Sequence, residues 1–367
     1  MHVRAAVTRE PKGTFSFEDL QLDDPRPDEV LVRLVSAGIC HTDLSARDGH
    51  FGMALPVVLG HEGAGVVEAV GAGVADLAPG DHVVLSQAFC GKCRTCLGGH
   101  PTQCPDAARF SLSGVRPDGS HTLHDKSGAT VSGCFVGQSS FATHALARAV
   151  NVVKVPTDAP LELLGPLGCG VMTGAGAVMH VLRPPAGSTI AVFGAGGVGL
   201  SAVMAAHLVG CATIISVDTN DDRLALAADL GATTCINPLR DDGVSTIAGL
   251  TGGGVDYAVE ATGLAAVGPQ ATLATHTNGT TVLLGAPAFG SRFEIDWSAI
   301  MGGRTVRGAV AGGGDPHTFI PRAIELHRQG RFPFDRMTKR YDFDEIQAAV
   351  VDMESGAVVK PVLTFPS

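Results

Sequence analysis

Cysteine, histidine and acidic residues crowd one short span, Gly38-Ile39-Cys40-His41-Thr42-Asp43 followed by Gly60-His61-Glu62-Gly63. A thiolate and an imidazole together are borderline-soft ligands that suit zinc. Two ligands do not make a site, and Cys169 in Leu167-Gly168-Cys169-Gly170 is the best third. Two cysteines and one histidine with the fourth position open form a catalytic rather than a structural zinc set. Taken alone, Cys40 and Cys169 read equally as small buried side chains and His61 as a core histidine.

The most specific spacing is Cys90-x2-Cys93-x2-Cys96-x7-Cys104. Four thiolates so grouped can close on zinc with no open position, which is a structural site. An iron–sulfur cluster is the sharper rival, because bacterial ferredoxins use C-x2-C-x2-C-x3-C-P and Pro105 follows Cys104. The long last spacer argues against that cluster, and the expected reducing compartment argues against disulfides.

A third pattern, Gly194-Ala195-Gly196-Gly197-Val198-Gly199, is G-x-G-x-x-G. It follows the apolar run Thr189–Phe193, opens an apolar helix from Leu200, and has Asp218 at the end of the next strand. In that context the glycines Gly194, Gly196, Gly197 and Gly199, with Val198, form a turn whose N–H groups approach a pyrophosphate at a helix N-terminus. Asp218 would accept hydrogen bonds from the adenosine ribose and repel a 2′-phosphate, so NAD is expected over NADP. Arg223 could line the adenosine side or be a solvated helix charge.

The elements around these residues change style along the chain. Up to about Val155 short strands alternate with Gly and Pro turns, as in Val30–Val35, Ala64–Val70 and Asp81–Leu85, which suggests a partly open β-barrel. After Cys169 strands alternate with helices, ending at Val255–Glu260 and Thr280–Gly285, which indicates a doubly wound parallel sheet. The tail ends in Lys360–Phe365, a strand that could pair back onto the first domain. At 367 residues two domains are expected. A formal charge of −10 argues against nucleic acid. No apolar run approaches a membrane span, and the N-terminus turns polar at once, so a cytoplasmic protein is expected.

Together these residues resemble the zinc-dependent medium-chain alcohol dehydrogenases. The resemblance runs over essentially the whole chain, in order, from Gly38–Asp43 through Gly60–Gly63, the four-cysteine lobe and Gly168–Gly170 to Gly194–Gly199. It implies an α/β protein: a Rossmann domain, 171–310, inserted in a GroES-like (chaperonin-10-like) catalytic domain, 1–170 and 311–367. A cleft between them would hold nicotinamide beside zinc. It also implies two zinc ions, one catalytic on Cys40, His61 and Cys169 and one structural on Cys90, Cys93, Cys96 and Cys104. Thr42 would hydrogen-bond the substrate oxygen and pass its proton on, Asp43 would orient His61, and Glu62 would sit behind the zinc and ease ligand exchange. His41 and Lys360 fall where the family places pyrophosphate contacts, and Thr173 where it contacts nicotinamide. Ser45 stands where better-known members have the histidine that ends the proton relay, with His50 a possible substitute.

The resemblance implies reversible oxidation of a primary alcohol to an aldehyde. The segments Gly303–Gly308 and Phe319–Asp335 look most like bacterial aryl- and terpenoid-alcohol dehydrogenases, so benzyl-type or allylic alcohols such as geraniol are the expected small-molecule substrates. Phe51 could form part of an apolar substrate wall or pack in the core. The alternatives are a glutathione-dependent formaldehyde dehydrogenase, an aliphatic alcohol dehydrogenase, and a noncatalytic nucleotide-binding relative. A homodimer or homotetramer is expected.

Overall fold

The structure is a computed structural model that describes residues 1–288 and 290–366. It divides into two compact units. The first comprises Met1–Cys169, Asp315–Ile324 and Thr338–Ser367, and the second Gly170–Gly314 and Glu325–Met337.

The first unit is built on two sheets. The larger is centred on Glu29–Gly38, which pairs antiparallel with Glu62–Val70, with His144–Arg148 and with the C-terminal strand Lys360–Thr364. The smaller runs Val57–Val58, His2–Thr8, Ser16–Leu22, Leu123–His124 and Thr130–Val131 in spatial order. Val30, Val32 and Leu34 alternate inward along the central strand and meet Val67, Val83 and Leu85 in one core. A second core under the smaller sheet holds Phe15, Leu20, Ile39, Leu59 and Phe141. The register Gly38↔Glu62 decides the site, because it sets the chain just beyond one strand, at Cys40, beside the chain just before its neighbour, at His61.

The second unit carries a six-stranded, wholly parallel sheet in the order Thr234–Ile236, Thr213–Val217, Thr189–Phe193, Val255–Glu260, Thr275–Leu283, Thr305–Gly308. Ile190, Ala191, Val192 and Phe193 are all buried, as expected of a central strand covered on both faces. The helix after it, Gly197–Val209, begins three residues earlier than its apolar run, inside the glycine turn. The following helix, Asp221–Asp229, is capped by Asn220, whose side chain accepts from the N–H groups of Asp222 and Arg223.

The division of the tail differs from the sequence expectation: of residues 311–367, the stretches 311–314 and Glu325–Met337 group with the second unit. Arg336 there bonds the carbonyl and carboxylate of Asp229. Among the described residues no single helix is long and apolar enough to cross a membrane.

Candidate active site

Cys40 caps the short helix His41–Arg47 and is oriented by Asp43, whose Oδ2 accepts the Cys40 N–H at 2.8 Å. The other carboxylate oxygen accepts the Gly60 N–H at 3.0 Å and lies 2.7 Å from His61 Nδ1. Asp43 is wholly buried, and by accepting a hydrogen bond from Nδ1–H it turns Nε2 toward the other donors. His61 Nε2 points at Cys169 Sγ, 3.2 Å away, and the Cys40, His61, Glu62 and Cys169 donor atoms all lie within 4.8 Å of one another. A tetrahedral zinc with ordinary bond lengths separates a sulfur from a nitrogen ligand by about 3.6 Å, so this donor set fits one such ion.

The donor groups shift one another's protonation. A hydrogen bond from Cys169 holds the Cys40 thiol well below its usual range, against burial and with help from the Lys360 charge. The same bond, with burial, pushes Cys169 well above it. Burial would lower the His61 imidazole, but Asp43 outweighs it and raises the group well above its ordinary value. A divalent cation among these donors would override those shifts, since a coordinating thiol is deprotonated and a coordinating imidazole neutral.

Glu62 is buried beside the donors, and its partner is Lys360. The Lys360 ammonium donates to both Glu62 oxygens, at 2.9 and 3.1 Å, and to the Ile39 carbonyl at 3.0 Å. Burial raises the Glu62 carboxyl while Lys360 opposes it. Burial would lower Lys360, but Glu62 and Cys40 outweigh it and raise the ammonium. Lys360 is 4% exposed, and inside the first unit its charge is engaged by Glu62 and the Ile39 carbonyl.

The half-buried Thr42 hydroxyl is 3.7 Å from Cys40 Sγ. His41 is exposed at the helix start, Ser45 is half-buried one turn on, and His50 is exposed beyond the helix end. Phe51 packs against the core under the smaller sheet. One residue absent from the sequence expectations belongs here. Gln138 is buried, with its amide against the backbone on both sides of Glu62. Its only sequence signal is a polar residue inside the run Gly137-Gln138-Ser139-Ser140 between apolar stretches.

In the lobe, Cys93 Sγ is 3.5 Å from Cys96 Sγ and 3.9 Å from Cys104 Sγ, and Cys90 Sγ is 3.8 Å from Cys96 Sγ. A disulfide needs about 2.05 Å, whereas the edge of a zinc–thiolate tetrahedron is about 3.8 Å. One ion fits; several irons between the sulfurs would spread them further. The Lys92 N–H, against burial, draws the Cys90 thiol down to about 6, and burial pushes Cys96 up to about 12.

In the second unit the glycine turn is backed by Asp218, whose carboxylate accepts the Ala195 N–H at 2.6 Å and the Asn220 N–H at 2.8 Å. A Cβ on Gly199 would lie 1.7 Å from the Gly194 carbonyl oxygen, so only glycine allows this helix start so close to the strand end. Gly196 caps the helix, and a Cβ there would meet no neighbour. Gly197 and Val198, half-buried, form the first turn. Arg223 Nε is buried without a hydrogen-bond partner among the described residues, and Thr173 is half-buried on the helix Gly170–Gly176.

Comparison with known proteins places these features. Residues 26–157 match the alcohol dehydrogenase GroES-like domain, and 197–328 match the zinc-binding dehydrogenase domain. The chain is 45% identical over 365 residues to geraniol dehydrogenase of Castellaniella defragrans, covering 99% of this chain and 97% of that one. It superposes on the crystal structure of an alcohol dehydrogenase zinc-binding domain protein from Burkholderia ambifaria, with a TM-score of 0.98, 51% identity and both chains fully covered. Benzyl alcohol dehydrogenase of Acinetobacter calcoaceticus is similar too, with a TM-score of 0.96, 44% identity and full coverage of both chains.

Proposed function

The chain belongs to the zinc-binding alcohol dehydrogenases, and from that premise we propose that it reversibly oxidises primary aromatic or allylic alcohols to aldehydes with NAD. The carrying observation is the convergence of Cys40 Sγ, His61 Nε2 and Cys169 Sγ, with Asp43 behind the histidine. These three side chains would hold a catalytic zinc, and the four lobe cysteines a structural one. When bound, zinc makes an alcohol hydroxyl more acidic and NAD accepts the hydride.

The chain's own residues do the rest. Asp43 fixes the His61 ring by accepting a hydrogen bond from its Nδ1–H. Thr42, one helical position beyond the exposed His41, would take the hydroxyl proton at Oγ1 as hydride leaves the carbon. With Ser45 in the relay position, the proton would leave through the cofactor ribose to water or through another base such as His50. The turn Gly194–Gly199 would receive the pyrophosphate, Asp218 the adenosine ribose, and Thr173 the nicotinamide, with His41 supplying the exposed basic contact. The substrate class is taken from the geraniol and benzyl alcohol dehydrogenases to which the chain is similar.

A homo-oligomer accords with Trp297 at 80% and Met301 at 74% exposure, near the outer strand Thr305–Gly308 of the parallel sheet. A cytoplasmic location remains part of the same reading.

The test is NADH formation from benzylic, allylic and short aliphatic alcohols, run with and without glutathione. Benzyl alcohol or geraniol should give the highest kcat/KM, independent of glutathione. A requirement for glutathione with formaldehyde would replace this reading with the formaldehyde dehydrogenase one.

A further inference from the structure

We propose that Gln138 is a positioning residue for the catalytic site, its side-chain amide spanning the peptides on either side of Glu62 and so fixing how His61 presents Nε2. The proposal rests on the metal reading of His61. Gln138 is 1% exposed. Its Nε2 donates to the His61 carbonyl at 2.9 Å, and its Oε1 accepts from the Gly63 N–H at 3.0 Å. Those two partners fix the amide's orientation, because a flipped amide would set donor against donor and acceptor against acceptor.

The amide does the work of a missing strand. The ladder between Glu62–Val70 and His82–Leu85 ends at Ala64↔Val84. Beyond that point Gln138 pairs with the backbone instead, with its Nε2 also 3.5 Å from the Ser86 carbonyl. A Cβ on Gly63 would press on Gln138 Oε1 at 3.0 Å, so the two chains meet as closely as glycine allows.

The loop that delivers this amide is held in an unfavourable shape. Val136, Gly137 and Ser139 all have left-handed φ, at 49°, 76° and 52°. A β-branched residue such as valine rarely adopts that region, and strain that persists beside a site marks a constraint imposed by its surroundings. Ser139 Oγ donates to the Val58 carbonyl and accepts the Phe135 N–H. Ser140 and Phe141 donate their N–H groups to the Gly60 and Leu59 carbonyls. The Phe135 ring meets the His61 ring edge-on at 5.5 Å. Asp43 fixes the imidazole at Nδ1; Gln138 fixes the backbone from which that imidazole hangs.

The test uses three variants of the purified holoprotein. Gln138→Met keeps length and burial but makes neither hydrogen bond. Gln138→Asn keeps an amide one methylene too short for both, and carries the test should the methionine variant fail to fold. Ser139→Ala removes the loop's ties to the Val58 carbonyl and the Phe135 N–H, while both hydrogen bonds of the Gln138 amide remain available. Two properties are read: the rate at which a chromophoric chelator draws out the catalytic-site metal, and the visible absorption of that site loaded with cobalt(II). Both Gln138 variants should release metal about tenfold faster or more and shift the cobalt band, with lobe metal release unchanged. Ser139→Ala should lower the melting temperature and leave both readouts as in the wild type. Wild-type release and band in the Gln138 variants, or the same changes in Ser139→Ala, would overturn the proposal. A wild-type protein that gives no cobalt band would overturn the metal reading and this inference with it.

Discussion

Lys360 shows what a buried charge does when its partner is fixed. Its ammonium satisfies Glu62 and the Ile39 carbonyl inside the first unit, so its removal is expected to act on stability. Lys360→Met takes the ammonium away from the buried Glu62 carboxylate and the Ile39 carbonyl and should cost about 3–5 kcal/mol in urea unfolding, with NAD affinity nearly unchanged. A large loss of NAD affinity at wild-type stability would instead favour the pyrophosphate contact that the resemblance implies. Cys134 makes a prediction in pH. Burial pushes its thiol up to about 11, against an ordinary value of about 8.5. Below that ordinary value both states keep the proton and the stabilisation is complete. Between there and 11 only the unfolded chain ionises, so stability falls as pH rises, by about 3 kcal/mol over the window. Cys134→Ala should flatten part of that alkaline slope in denaturant titrations followed from pH 8 to 11.

The elements divide by how local their signals are. The glycine turn is legible because strand, turn, helix and Asp218 follow one another within one βαβ passage, and the structure brings Asp218 back onto the turn. Gly199→Ala puts a methyl group against the Gly194 carbonyl oxygen and should weaken NAD binding by at least tenfold in fluorescence titration, while the metal content of the first unit is unchanged. Wild-type affinity would show that the turn does not hold the cofactor. Cys40 and His61 are legible as residue types, and strand register explains why they meet. Gln138 is not legible, because its partners are backbone groups 75 and 77 residues away and no local pattern encodes them. For Lys360 the strand is readable, but a strand-end lysine carries no sign of the carboxylate almost 300 residues earlier. The helix Pro316–Arg328 hides a boundary for the same reason, since its amphipathic pattern is continuous across the change of unit after Ile324.

The whole chain folds as two compact units. The first assembles two clusters of soft donors, Cys40 with His61 and Cys169, and Cys90 with Cys93, Cys96 and Cys104. The second presents a glycine turn at the end of a parallel sheet. The most direct measurement is a crystal diffraction experiment at wavelengths on either side of the zinc absorption edge. The account predicts two zinc peaks per chain. One lies about 2.0–2.3 Å from Cys40 Sγ, His61 Nε2 and Cys169 Sγ, with its fourth ligand drawn from solvent or substrate. No peak among those three atoms, or one whose fourth position is closed by the Glu62 carboxylate in the active enzyme, would contradict it.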